Sequence, residues 1–231
     1  MEGIIAALLM TFFFSCMAPI WKDLRNKGVS PKAILAISGM TFPAWIILTV
    51  LSFKVFTIKL TLFYAAVVIA WVILVVFIHS IALYLFRYKA LTEMGAYGLA
   101  FSLVVSLILD YVLFQVTFPL LSLLSFSLFI SAGLLISQNR LKLHKSKIGI
   151  KKTLFLLIVI SILNSIFFGI YKVGLNFQQN VIVHIAISQL LLSLTLLIYG
   201  YKDLQRGIKK NLITKKKIMI ANTFLILGIF A

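Results

Sequence analysis

Apolar runs long enough to cross a membrane recur along this chain and leave it few ways to fold. One of them, FYAAVVIAWVILVVFIHSIA, begins at Phe63 and carries no formal charge apart from what His79 can acquire. A helix needs about 20 such residues to span a hydrocarbon core roughly 30 Å thick. Runs of this kind lie near 3–21, 33–53, 61–86, 94–115, 118–137, 153–175, 180–201 and 217–231. They far exceed the roughly 10 alternating residues of a membrane barrel strand. With 62% hydrophobic and only 12% charged residues, no soluble interior has room for this much apolar surface. The expected fold class is an all-α, polytopic transmembrane helical bundle.

The few charges are organised. The chain carries 22 Lys and Arg against 5 Asp and Glu, a net charge of +17. In a soluble protein this would point to nucleic acid. Here the cations sit in short clusters between apolar runs, where they set topology and meet anionic headgroups, so the lipid bilayer is the expected partner and nucleic acid is not. The odd-numbered connections between runs hold nineteen of these cations and the even-numbered ones three. The positive-inside rule then places odd connections in the cytoplasm and the N-terminus outside, in a multi-pass protein of the cell membrane. The single Cys16 gives no disulfide framework and no Cys metal cluster. The first run lacks a basic leader and a small-residue cleavage site, so it is expected to be a retained helix.

LYLFRYKALTEMGAYGLAFS, from Leu83, crowds Arg87, Lys89 and Glu93 between two apolar runs. It reads as the turn of a helical hairpin. Arg87 and Lys89 snorkel to the headgroups, Glu93 suits a helix start, and Gly95, Ala96, Gly98 and Ala100 form a close-packing face. A shift of 150 residues then aligns Thr11, Ser15 and Pro19 with Ser161, Ser165 and Gly169, followed by Ile20, Trp21 and Lys22 on Ile170, Tyr171 and Lys172. A repeat unit of five helices is odd, so its second copy enters the membrane upside down, as in many secondary transporters.

At these residues the chain resembles a known family. LYLFRYKALTEMGAYGLAFSLVVSLILDYVLF, followed by PLLSLLSFSLFISAGLLI, is similar to the third-to-fifth helix region of the EamA-like branch of the drug/metabolite transporter superfamily. The matching positions are Tyr88, Ala90 and Leu91, then Asp110 where Glu is usual, and the late Gly133. LFLLIVISILNSIFFGIYKVGLN is similar to the start of the second repeat. The resemblance implies ten helices in two inverted five-helix repeats around a central cavity, and transport of small metabolites, amino acids or amphiphilic compounds. On this pattern residues 1–141 are the first repeat. Residues 150–231 are a second, incomplete repeat of about two and a half helices. Relatives commonly keep the N-terminus inside, against the charge count above.

Ionisable groups within spans mark pathways by default. His79 reads either as a cavity-facing group or as a neutral imidazole bonded to a neighbouring helix. Arg87 either caps a polar wall through the face shared by Ser80 and Tyr84 or anchors at the interface. Glu93 is a coupling carboxylate or a helix-start charge, and Asp110 a substrate-handling or structural acid. His184 and Gln189, with Ser188 and Thr195, form a thin polar stripe, and Asn164 lies between Ser161 and Ser165. Trp45 follows Pro43, which is expected to kink its helix. The cavity candidates are therefore Trp45, Trp71, His79, Tyr84, Asn164, His184 and Gln189, with Arg87, Glu93 and Asp110 as charged candidates.

No catalytic, cofactor or metal-binding motif is present. Glu93 and Asp110 are 17 residues apart on one helix, about 25 Å, too far to act as paired acids. The expected function is secondary-active transport of a small molecule by alternating access, without enzymatic activity. The alternatives are a non-transporting scaffold or assembly partner, an inactive truncated remnant, and an intramembrane enzyme acting on a lipid-linked substrate. A homo-oligomer is left open.

Overall fold

A computed structural model describes residues 16–86 and 150–230, together with Phe12, Ile108, Tyr111, Val112, Gln115, Ser127, Leu128 and Ser131. No strand occurs among the described residues. The helices are α1 (16–26), α2 (Pro31–Gly39), α3 (Phe42–Val55), α4 (Leu62–Phe86), α5 (Ile150–Gln178), α6 (Val181–Lys209) and α7 (Lys215–Phe230). Among the described residues, four segments are long and apolar enough to cross a membrane: Pro31–Val55, Leu62–Leu85, Phe155–Gln178 and Val181–Lys209. The protein is thus an all-helical, multi-pass membrane protein. The runs at 94–115 and 118–137, with Arg87, Glu93 and Asp110, lie outside the described residues apart from a few isolated positions.

Local chemistry sets where each helix stops. Gly28, at φ 80°, closes α1. Its N–H donates to the Arg25 carbonyl and that of Val29 to the Leu24 carbonyl, the paired bonds of a left-handed helix cap. Ser30 caps α2 by accepting from the Ala33 N–H at 3.1 Å, with Pro31 opening the helix. The run expected at 33–53 is two helices, broken at Met40 and Thr41. Pro43 has no N–H to give, and its ring disfavours a continuous helix over the preceding turn. Asn180 caps α6 through Val183. That helix runs eight residues past its expected end at 201, because polar Lys202, Asp203, Gln205 and Arg206 end the apolar run but not the helix. Asn211, at φ 54°, finally closes it: its N–H donates to the Ile208 carbonyl and that of Leu212 to the Gly207 carbonyl.

The chain divides into two compact units, Met1–Leu83 with Ile170–Ala231, and Tyr84–Gly169. In the first, α6 packs along α2 and α3, and α7 meets α2. Small residues make the α2–α6 approach possible. A Cβ on Gly39 would lie 2.7 Å from the Ser193 carbonyl, and one on Gly200 would collide with the Lys32 carbonyl. Ser193, Gly200 and Gly207 recur every seventh residue and so present one face of α6. In the second unit, Ser161 and Ser165 are buried, and each hydroxyl donates to the carbonyl four residues back on α5.

Candidate functional site

Two histidines organise the first unit, each in a different setting. His79, on α4, borders a cavity of about 50 Å³ together with Trp21, Ser38, Thr41, Gln189 and Ser193. Leucines and a valine from α2, α4, α6 and α7 complete the wall. Gln189 is eight residues along α6 from Val181, about 12 Å at 1.5 Å per residue, so the cavity lies at membrane depth. Its volume admits only a few waters and falls well below the roughly 300–1,000 Å³ of ligand pockets.

The wall is partly committed and partly open. His79 Nδ1 bonds its own helix at the Val75 carbonyl, 2.9 Å away, which turns the rest of the ring outward from that turn. The Trp21 ring stands edge-on to it at 6.0 Å. Thr41 donates to the Ser38 carbonyl at 2.8 Å and accepts from Trp45 Nε1 at 3.0 Å. Trp45 is buried and thus supports the cavity through Thr41. Ser38 Oγ is buried with no hydrogen-bond partner among the described residues. A hydroxyl in that state bordering a water-sized cavity is a natural water anchor.

His184, one turn into α6, sits instead among aromatic rings. Its Nδ1 meets the Tyr64 hydroxyl at 3.0 Å. The Tyr171 ring lies 4.4 Å from its own, and Tyr64 stacks on Phe177 at 5.9 Å. Trp71 joins through Tyr171 at 5.6 Å. Among the described residues Nε2 is buried without a partner in hydrogen-bond geometry, although the Tyr171 main chain lies near enough to interact with the ring. Gly174 provides the seat: a Cβ there would come within 2.7 Å of His184 Cε1. Ser188 and Thr195, expected to join His184 in a polar stripe, donate to carbonyls of α6 itself.

The sequence candidates therefore separate. His79 and Gln189 share the cavity, with Trp45 behind it. His184 and Trp71 share the aromatic cluster. Tyr84 and Asn164 belong to the second unit, where the Lys152 ammonium lies 6.0 Å over the Tyr84 ring and Asn164 is half-buried. Arg87, Glu93 and Asp110 lie outside the described residues. Among the described residues no group of three or more His, Cys, Asp or Glu could hold a metal ion.

Tyr64, Ser38, Thr41 and two acids are not among the sequence candidates, and Tyr171 enters there only through the repeat alignment. Asp23 accepts from Lys217, with Lys27 at 3.5 Å. The hydrogen bond from Lys217 holds the Asp23 carboxyl below the usual carboxylate range. Asp203 accepts from the Ser30 hydroxyl at 2.8 Å. With five acidic residues in the chain, each acid was itself the signal. No family model, curated protein or solved structure matches the chain.

Proposed function

We propose that this protein is a secondary-active transporter of the drug/metabolite type, similar to the EamA-like branch, that moves small metabolites, amino acids or amphiphilic compounds by alternating access. The observation carrying this reading is the convergence of His79, Gln189, Ser38, Thr41 and Ser193 on one cavity at membrane depth. Polar groups are expensive there and gather along pathways. The reading includes two inverted five-helix repeats, over 1–141 and 150–231, and a location in the cell membrane with the N-terminus outside. The charge asymmetry of the connections supports that orientation. A cavity of about 50 Å³ is then a closed form of the route, which must widen to admit a solute.

The test is transport by the full chain in proteoliposomes, with lumen contents read by mass spectrometry after exposure to a metabolite mixture. His79→Ala and Gln189→Ala should each slow uptake about tenfold, the worth of one 1.4 kcal/mol interaction, while chromatographic behaviour stays unchanged. Uptake at full rate in both variants removes the cavity from the route. The small cavity favours a second reading, a non-transporting scaffold or assembly partner. On that reading no solute accumulates and both variants behave as the parent does.

A further inference from the structure

A second concavity opens on the surface of the first unit, at the end of α6 remote from His184. It measures about 500 Å³ and is bordered by Lys32, Tyr199, Tyr201, Lys202, Asp203 and Arg206, with Leu197 and Ile198 on its apolar side. Lys202 lies 21 residues along α6 from Val181, about 31 Å, which is the depth at which the far edge of a roughly 30 Å hydrocarbon core falls. The groove therefore straddles the boundary between acyl chains and headgroups. Ile198 is 78% exposed and Tyr199 45%. Both lie exposed beside the groove's cations.

Three cations meet one carboxylate here. Asp203 is occupied by the Ser30 hydroxyl and lies 3.8 Å from Arg206. Lys32 rests over the Tyr199 ring, its ammonium 4.9 Å from the centroid. A ring face holds an ammonium in place without neutralising it. Lys202 makes no ion pair among the described residues. The groove keeps an excess of two positive charges at headgroup depth, beside exposed tyrosine and isoleucine.

We propose that this groove is a specific site for one anionic phospholipid, its phosphate held by Lys202, Arg206 and Lys32 and its acyl chains lying along Ile198 and Tyr199. Basic pockets at the ends of membrane helices recognise phosphate headgroups in this way, and tyrosine belongs at the same level. The site needs only the membrane-spanning character of α6 and is independent of the transport reading.

Native mass spectrometry of the full chain, released from micelles doped with equal phosphatidylglycerol and phosphatidylcholine, reads the site directly. The parent should retain one phosphatidylglycerol in preference to phosphatidylcholine. Lys202→Ala/Arg206→Ala should lose it about tenfold, the equivalent of 1.4 kcal/mol. The charge-keeping Lys202→Arg/Arg206→Lys should retain it, which separates loss of charge from misfolding. Lys209→Ala/Lys210→Ala, which removes two cations outside the groove, should retain it as well. Equal retention of both lipids, or undiminished retention by Lys202→Ala/Arg206→Ala, overturns the proposal. So does full displacement by millimolar inorganic phosphate, which would assign the groove to a free anion.

Discussion

The two ends of the first unit are fastened by different chemistry. One end carries the α1–α2 and α6–α7 turns. There Asp23 joins Lys27 and Lys217, Asp203 joins Ser30, and buried Arg25 donates to the Leu83 carbonyl at 2.9 Å and to that of Val29. The other end carries the α3–α4 and α5–α6 turns and offers amide and ring acceptors in place of carboxylates. Gln178 accepts from the Lys59 N–H at 3.3 Å, Gln179 accepts from the Lys59 ammonium at 2.9 Å, and Tyr64 meets His184. The division follows the distribution of cations along the sequence. Where lysines and arginines collect, a rare carboxylate becomes a staple; where they are scarce, amides and rings take that role.

Two glycines sharpen this contrast and should give the largest effects. Gly200→Ala sets a methyl against the main chain of Lys32, and main chain in a packed helix cannot swing aside. We expect about 3 kcal/mol or more, the upper part of the overpacking range. Gly174→Ala presses on the His184 ring instead, a side chain able to tilt at the cost of its Tyr64 bond. Here about 1–3 kcal/mol is expected. Unfolding of both variants in detergent micelles measures the pair, and a reversed order breaks the comparison.

Next in size is Tyr64→Phe. It leaves His184 Nδ1 buried with no partner, which costs about 1–3 kcal/mol. Adding His184→Leu removes the stranded group, so the double variant should lose less than the two singles combined. Additive losses would mean that the ring packing around His184, rather than the hydrogen bond, holds the amide-and-ring end. Gln178→Leu should cost about 1 kcal/mol through its bond to Lys59. It should leave the basic end unchanged in hydrogen exchange.

How much of this could be read in advance depends on the range of each signal. Helix class and the spans at Pro31–Val55, Leu62–Leu85, Phe155–Gln178 and Val181–Lys209 come from apolar length, which acts locally; Pro43 predicts a kink, and the structure instead ends one helix and starts another at Met40 and Thr41. The long end of α6 was hidden because hydropathy stops at Tyr201 while helical hydrogen bonding continues to the cap at Asn211. His79 and Gln189 were visible as polar groups in apolar runs. Their meeting with Ser38 and Thr41 depends on how α2 lies against α6, and that follows from the seven-residue spacing of Ser193, Gly200 and Gly207. That spacing is plain in the sequence once the small residues of α6 are considered apart from its polar stripe. The partners of His184 were hidden for another reason. Tyr64 and Tyr171 are common in membrane proteins as interface residues, and nothing local distinguishes a tyrosine that bonds an imidazole from one that meets water.

The smallest effect belongs to Asp23. Its carboxyl is held below the ordinary range by the Lys217 hydrogen bond. A carboxylate with a lowered pKa contributes stability that is fully present above its unfolded value of about 3.9 and is lost as pH falls through the lower folded value. The basic end should therefore loosen below about pH 4, and Asp23→Asn should flatten that part of the profile. The group is nearly half exposed, so solvent screens the pair and the change is modest. Raising salt from 0.1 to 1 M shortens the screening length from about 10 to about 3 Å and should mimic part of the substitution. Hydrogen exchange of the α1–α2 turn, against that of the α5–α6 turn, reads both effects. The amides of Gln178 and Gln179 do not titrate in that range, so the second turn serves as the internal control. Equal loosening of both turns under acid or salt would mean that the two ends do not differ in the way their bonds suggest.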